Sequence, residues 1–391
     1  MVTLQTAESA LKNVYLGVVA NQLNVNANPL LAKIKRSNKD VWGKEIRKLA
    51  PFGINGGVGA GSETGALPTS SGNGYVQFVS ELKNLYGKIE LSDKAVRASA
   101  NNAGAFVNLL SDEMEGLVKA SSFNLGRMLY GDGTGILSSA VEVDGKTITV
   151  DNVQNFIEGM LIDSYVDGEK TNVSPIKVIY VNRKDNQIMV EGETIAQGAK
   201  LYVQGSKDFE ITGLGKIFDQ SQDTIYGVSK TEYPWLKAFT STDSKEISDI
   251  LIQEAIDFLE LNSDSQINFI TCSNRVRRSY QEYLGAYRRN IDITELDGGY
   301  KTITHNGIPV VADRFVRDDE MYLLNTNDFT LHELCDWKWL EGEDGRILKQ
   351  NQGYPTYSAT LVKYAELICD KPCGQAKISN ISTTVTNPFA N

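Results

Sequence analysis

The stretch from Asn101 to Gly131 constrains this chain more than any other. Its apolar residues recur in steps of three and four, which places them on one side of a helix. Those residues are Phe106, Val107, Leu110, Met114, Leu117, Val118, Leu125, Met128 and Leu129. Asn101 or Asn102 can cap the start, and Gly131 can end the helix in a left-handed conformation. About thirty helical residues span roughly 45 Å, so we expect a spine against which a sheet and both flanking regions pack.

Length and composition limit the classes of protein that this chain can belong to. At 391 residues, 41% of them hydrophobic and 23% charged, it is expected to form two or three domains of ordinary globular composition. The formal charge of −10 argues against a general nucleic-acid binder. With no long apolar run, no secretory signal and four cysteines, we expect a soluble protein made in a reducing cytoplasm.

A glycine-rich segment precedes the predicted spine. Between Gly53 and Gly74, eight of 22 residues are glycine, and none is lysine, arginine or aromatic. Such a segment cannot form a core. Extended, strand-forming segments flank it at residues 42–52 and 75–91, so we predict a long hairpin with a flexible tip. The tip residues predicted to contact another subunit are Gly53, Gly57, Gly61, Gly65 and Gly72.

The remaining elements follow from shorter patterns. An amphipathic helix is predicted over residues 3–24, and a capping box at Asp243–Glu246 is predicted to open a second helix. A small antiparallel barrel is predicted after the spine, with strands at 147–150, 160–166, 176–182, 187–190 and 200–204. One α/β unit should follow, with strands at 267–272, 308–312, 321–324 and 329–334 around a helix at 274–288. A final strand is predicted at 357–369, with a loose tail after Pro372.

Few residues suggest catalysis or metal binding. His305 is predicted in a turn and His332 in a half-exposed strand position, and we assign neither a catalytic role. A zinc site formed by His332, Cys335, Cys369 and Cys373 is an alternative, but the spacing is not that of a zinc knuckle. Gly131–Gly135 follows a helix rather than a strand, so it is interpreted as a turn and not as a phosphate loop. We predict no catalytic, cofactor or metal residue.

An arginine-rich helix offers a second candidate contact surface. Aromatic residues at Tyr280, Tyr283 and Tyr287 lie between the basic positions, which are Arg275, Arg277, Arg278, Arg288 and Arg289. A contact with an acidic surface of another subunit is the favoured interpretation in a chain of net negative charge. A plain solvated surface and a nucleic-acid surface are the alternatives.

Several short motifs, in this order, resemble the major capsid proteins of tailed bacteriophages, which share the Hong Kong-type fold. The resemblance covers nearly the whole chain. It rests on motifs at 89–93 (IELSD), 130–135 (YGDGTG), 156–160 (FIEGM), 307–311 (GIPVV) and 321–324 (MYLL).

This resemblance implies an α+β chain with the Hong Kong-type major capsid fold. It would have an N-terminal arm (1–41), an extended β-hairpin loop (42–91), the long spine helix of the peripheral domain (92–137) and an inserted small β-barrel (138–207). A connector (208–240), an axial domain (241–325), the peripheral return (326–378) and a tail (379–391) would follow. The hairpin tip contains no lysine, so we do not carry over the Lys–Asn cross-link of some relatives.

The resemblance also implies a structural, non-enzymatic role. Copies of the chain would form pentamers and hexamers of an icosahedral head, assembled in the cytoplasm of a bacterial host, that encloses double-stranded DNA without sequence-specific binding. Portal, scaffolding and decoration proteins would be partners, and no membrane or cofactor would be involved. Because the chain leads from Met1 straight into the arm, a separate scaffolding protein, or none, is expected. A nanocompartment shell of the encapsulin type and a zinc- or phosphate-dependent enzyme with a barrel domain are the alternatives.

Overall fold

The fold is described from a computed structural model. It covers residues 28–94, 103–287, 293–296, 300–342 and 345–382. The predicted helix at 3–24, the caps Asn101 and Asn102, and the arginines Arg288 and Arg289 lie outside the described residues. No helix within those ranges is long and apolar enough to cross a membrane.

The predicted spine is a single helix, Ala103–Tyr130. Its described side chains begin at Glu113, and from there the predicted stripe is confirmed. Met114, Val118, Leu125, Met128 and Leu129 are buried, and Leu117 is half-buried. The helix packs closely against the strand Lys83–Ser92, which contains Gly87. A Cβ on Gly87 would lie only 2.8 Å from Cδ1 of Leu117. Phe123 and Arg127 are also buried, although the apolar pattern did not include them.

The end of the spine differs from the prediction. Gly131 does not adopt the left-handed conformation, which occurs instead at Gly133 and Gly135 with φ of 84° and 82°. The N–H of Gly131 donates to the carbonyl of Met128 at 3.0 Å, so the last turn tightens and ends the helix before the chain reverses. The side chain of Asp132 then accepts the N–H of Thr134 at 2.9 Å. The GDGTG sequence is therefore a helix stop followed by a turn.

The spine lies on a peripheral sheet built around one long strand, Thr356–Cys369. Phe329–Trp339 pairs antiparallel with one edge of this strand and Lys83–Ser92 with the other. Lys35–Ser37 and Lys349–Gln350 complete the sheet. Two antiparallel strands, Glu45–Phe52 and Gly74–Glu81, form the predicted hairpin, with Val41–Trp42 at its edge.

The predicted barrel is present and closed. Its strands, in spatial order, are Ile176–Asn182, Gln187–Glu191, Thr147–Val150, Ile136–Asp144, Lys200–Val203 and Leu161–Val166. Ile162 then pairs with Ile176, which returns the sheet to its first strand, and Glu169–Lys170 pairs at one end. The strand Ile136–Asp144 was missed because Ser138 and Ser139 interrupt its apolar residues.

The axial sheet has seven strands among the described residues. Their order is Phe239–Ser241, Ala376–Ile378, Met321–Leu324, Phe269–Cys272, Ile308–Ala312, Tyr300–His305 and Ile293–Leu296. Helices Asp249–Ser263 and Asn274–Tyr287 accompany it. Shorter elements are the helices Pro29–Lys33 and Leu214–Phe218, the 3₁₀ turns Pro234–Leu236, Thr326–Asp328 and Pro372–Gly374, and the strand pairs Thr224–Ile225 with Val228–Ser229 and Lys245–Glu246 with Ile381–Ser382.

Two predictions in this region are wrong. The capping box at Asp243–Glu246 does not form, because Lys245–Glu246 pairs in parallel with Ile381–Ser382. Ser248 caps the helix instead, and its Oγ accepts the N–H of Leu251 at 3.1 Å. The chain after Pro372 is not loose within the described residues, because Ala376–Ile378 is an internal strand of the axial sheet. A three-residue strand is too short to show a periodic pattern.

The end of the spine helix and the connector approach each other so closely that a side chain would not fit. A Cβ on Gly213 would collide with the carbonyl of Met128 and stand 2.6 Å from that of Gly131. We expect Gly213→Ala to lower the free energy of unfolding by several kcal/mol, since backbone groups must move. Gly116→Ala is the matched control: it lies in the exposed helix interior with open space around it. It should stabilise by about 0.5–1 kcal/mol. Urea denaturation measures both, and equal effects would contradict this packing.

A buried carboxyl in the peripheral sheet predicts a pH dependence of stability. Glu366 accepts N–H groups from Thr212 at 2.7 Å and Leu367 at 3.1 Å, and burial raises its pKa from 4.5 to about 7. At a pH between 4.5 and about 7, the Glu366 carboxyl is protonated in the folded chain and ionised in the unfolded chain. The stability contributed by this group therefore falls as pH rises through the window, by about 3 kcal/mol.

We therefore expect Glu366→Gln to gain stability relative to the unchanged protein as pH rises from 5 to 8. Urea denaturation of the free subunit at the two pH values measures this difference. Glu142→Gln, an exposed barrel position, is the control and should show little change. A Glu366→Gln effect that is the same at both pH values would exclude a neutral buried carboxyl.

Candidate assembly interface

The hairpin is anchored to the body by one face of its two strands. Glu45–Phe52 and Gly74–Glu81 pair over eight residues. Ile46, Ala50 and Phe78 on the inner face are buried. This alternation of buried and exposed positions is what an antiparallel pair with one covered face produces. The base of the hairpin is therefore part of the folded subunit.

Contacts with the connector fix the direction of the hairpin. The ring of Phe78 lies 5.3 Å from that of Tyr226, and the N–H of Val79 donates to the carbonyl of Tyr226 at 3.0 Å. The ring of Phe52 stacks on Trp235 at 6.1 Å. Lys48 forms an ion pair with Asp370 at 2.7 Å. The sequence indicated these connector aromatics only through an unusual Tyr-Pro-Trp segment, and their role was not predicted.

The tip beyond this anchor is exposed. Ile54, Val58 and Leu67 are 89%, 89% and 90% exposed, although a folded surface seldom presents three large aliphatic side chains so fully. Leu49 and Tyr75 on the outer face of the hairpin strands are exposed as well. The hairpin thus presents apolar groups to solvent along its outer face and tip. These groups constitute a candidate contact surface.

The predicted tip glycines lie in this exposed segment. Gly53 has a left-handed φ of 72°, directly after the hairpin strand Glu45–Phe52. A Cβ on Gly57 would lie 3.2 Å from the backbone N of Ser71, so the two limbs of the tip run side by side. Gly61, Gly65 and Gly72 are exposed. The glycines allow close limbs and a turn, and they bury no apolar surface of their own.

The arginine-rich helix has one buried and one basic face. Val276, Tyr280 and Leu284 point into the axial core. Arg275 and Arg278 are exposed, and Arg277 is half-buried. The predicted mixture of arginines and aromatics on one surface is wrong for Tyr280, whose hydroxyl donates to Asp249 at 2.6 Å from a buried position. The buried ring of Tyr280 is therefore not accessible for stacking on a nucleic-acid base.

The two histidines occupy buried positions. His332 was expected to be half-exposed but is buried, and its Nδ1 lies 3.0 Å from the carbonyl of Lys39. Burial lowers the pKa of His332, which favours the neutral ring. His305 ends a strand rather than lying in a turn, and contacts Tyr280 and Gln253. Both side chains are explained by packing and hydrogen bonding.

The cysteines and histidines are not brought together as a zinc site. Cys369 pairs with Phe329 at one end of the long strand, whereas Cys335 pairs with Tyr364 further along it. Burial raises the pKa of the Cys369 thiol well above its usual value. Across the described ranges, no group of three or more His, Cys, Asp or Glu side chains is arranged to hold a metal ion.

Comparisons with known proteins bear on the fold. No protein-family model matches the sequence, and no curated protein matches it. Among solved structures, a subunit from the capsid asymmetric unit of cyanophage A-1(L) aligns with a TM-score of 0.56 and 14% identity, covering 91% of this chain and 93% of that chain. The encapsulin complex of Synechococcus elongatus aligns at 0.48 with 10% identity (95% and 98% covered), and the capsid of Myoviridae phage XM1 at 0.47 with 9% identity (91% and 92% covered).

The alignment with the cyanophage subunit spans nearly the whole of both chains. The chain therefore has the Hong Kong-type capsid fold, as its motifs predicted. It is an α+β fold with a hairpin, a long spine helix, peripheral and axial sheets and an inserted barrel.

Proposed function

We propose that this protein is the major structural subunit of a tailed-bacteriophage head. The observation that carries the proposal is the combination of this fold with a hairpin whose apolar tip is exposed. A single subunit gains nothing by exposing Ile54, Val58 and Leu67. A closed shell gives every subunit the same neighbours, so one protruding element can be covered by the next copy.

In this proposal, copies of the chain form pentamers and hexamers that close into an icosahedral shell inside a bacterial host. Portal, scaffolding and decoration proteins are the further partners. The shell encloses double-stranded DNA without binding it specifically. The net charge of −10 supports the proposal that the shell does not bind the DNA specifically, because an acidic protein surface repels phosphate. The contact surfaces, rather than a catalytic pocket, perform the function.

The division of the chain follows from the same proposal. Residues 1–41 form the arm, 42–91 the extension loop and 138–207 the insertion. The spine with most of residues 326–378 forms the peripheral domain, and 241–325 the axial domain, to whose sheet the strands Phe239–Ser241 and Ala376–Ile378 also belong. The pairing of Lys83–Ser92 with the long peripheral strand supports a loop that begins as a projecting hairpin and returns into the body of the subunit.

The first test is the shape of the purified chain and the effect of removing its tip. Negative-stain microscopy should show closed particles of uniform size for the unchanged protein. Removing Gly57 to Gly72 should leave the circular dichroism and melting of the free subunit nearly unchanged, because the exposed tip contributes little to the cores. It should abolish closed particles or make them fragile. Closed, heat-stable particles from the deleted chain would contradict the proposed contact between the tip and a neighbouring copy.

Proteolysis gives an independent measurement on the same segment. Proteinase K should cut the free subunit first between Gly53 and Gly74 and leave that segment intact in particles. Trypsin serves as the control enzyme, because the segment contains no lysine or arginine. Equal cleavage in both states would mean that no neighbour covers the tip.

We also propose that the basic face of helix Asn274–Tyr287 contacts an acidic surface of another copy; Arg288 and Arg289, assigned to the same contact from the sequence, lie outside the described residues. Arg275→Glu with Arg278→Glu should weaken assembly more at low salt than at high salt while the subunit stays folded, since both side chains are exposed. Light scattering against salt concentration measures this. Unchanged assembly together with reduced DNA binding would favour a nucleic-acid surface instead.

A further inference from the structure

A polar cleft of about 780 Å³ separates the barrel from the axial domain. Arg183 reaches it from the barrel, and Arg314 and Arg317 from the loop after strand Ile308–Ala312. Amide side chains of Asn152 and Asn186 also line it. Guanidinium and amide groups are donors suited to a carboxylate and to exposed backbone carbonyls. The cleft thus has the chemistry of a site for a polar peptide segment that carries negative charge.

Two of the three arginines are held in place by an aromatic ring or a backbone carbonyl rather than by an ion pair. The guanidinium of Arg314 lies 4.7 Å from the centre of the Phe123 ring, and Nη2 of Arg183 donates to the carbonyl of Phe156 at 3.3 Å. In the described part of the chain, none of the three forms an ion pair. Partial burial, and then the charge of Arg183, lowers the pKa of Arg314, although the carboxylates of Asp313 and Glu158 oppose this shift. An incoming anion would relieve this repulsion between like charges.

Acidic residues narrow the choice of ligand. Asp151, Asp318 and Asp319 also line the cleft, and one Asp318 oxygen accepts from Nε2 of Gln154 at 3.1 Å. Three carboxylates beside three guanidiniums leave little net positive charge. A polyphosphate or a DNA backbone, with many charges, would be repelled by the acids. A neutral polar segment with a single carboxylate fits the cleft better.

The hairpin tip is such a segment. Glu63 is the one charged residue between Gly53 and Gly74. It is exposed at the turn that the N–H of Gly65 closes onto the carbonyl of Ser62 at 3.1 Å. If a neighbouring copy covers the tip, the carboxylate of Glu63 leaves water. Removing the carboxylate from water costs several kcal/mol of free energy unless it forms an ion pair with a cation.

The base of the hairpin is fixed to its own subunit, whereas the tip is exposed. The hairpin strands are fixed against the connector by Phe78, Phe52 and the Lys48–Asp370 ion pair. The tip beyond these contacts is exposed, and Glu63 forms no ion pair with the described residues of its own subunit. Its carboxylate is therefore available to a cation of another copy.

We propose that Glu63 of one copy inserts into the cleft of a neighbouring copy and pairs with the guanidiniums of Arg183, Arg314 and Arg317. This contact rests on the proposed shell function and specifies which two surfaces meet. It supplies charge complementarity for an otherwise uncharged tip, and it would set the register in which the hairpin crosses its neighbour.

Charge reversal and its rescue test the contact. Glu63→Arg should reduce particle yield at least about tenfold, since it places a fourth cation in the cleft. Adding Arg317→Glu in the same chain should restore a large part of the yield, because every subunit then carries the reversed pair. Arg317 is exposed, so its substitution should leave the free subunit folded by circular dichroism. Glu63→Gln should give particles that dissociate at lower urea concentration.

Two controls separate this contact from its competitors. In the Glu63→Arg background, Arg278→Glu should not restore the yield. If Arg278→Glu restores it and Arg317→Glu does not, Glu63 contacts the basic helix instead of the cleft, and the proposal is overturned. Particles that form normally with Glu63→Arg would overturn the contact while leaving the shell function intact. Absence of particles from the unchanged chain would overturn both.

Discussion

The seating of the spine helix is the constraint on which the other parts of the subunit depend. Arg127 on its buried side forms two hydrogen bonds with Glu210 of the connector, and both side chains are almost fully buried. Breaking such a pair leaves a charge without a partner, so the connector cannot move away from the helix without a large loss of stability. The close approach of Gly213 to the last helical carbonyls adds a steric requirement at the same place.

The same helix joins the cores. Leu125 and Leu129 belong to the core under the peripheral sheet, whereas Phe123 belongs to the barrel core. Tyr130 packs against both, and its hydroxyl lies 3.1 Å from Oγ1 of Thr271 in the axial sheet. One rigid element therefore sets the position of the hairpin, the barrel and the axial domain. The proposed shell would use this rigidity, because a closed symmetric assembly repeats the same contact between its copies.

Elements with a strong period were predicted from the sequence. The strands Thr147–Val150, Ile176–Asn182, Ile308–Ala312 and Met321–Leu324 have the predicted bounds, and the hairpin and spine are where the patterns placed them. The errors fall on short or ambiguous signals. A capping box sequence also fits an edge strand, a glycine after a helix does not need a left-handed conformation, and a three-residue strand has no period. Local chemistry allowed several outcomes at these points, and contacts distant in sequence selected one.

The sequence by itself determined the long helix, the exposed glycine-rich tip, the acidic charge and, through its motifs, the fold. Only the tertiary structure decided which side chains meet. Tyr280 shares its helix with arginines but is buried, because the axial sheet covers that face. Arg183 and Arg314 are more than a hundred residues apart in sequence, yet they line one cleft once the barrel packs beside the axial domain. The reason is physical: periodicity describes one segment against an unspecified partner, whereas burial and ion pairing depend on which partner the folded chain supplies.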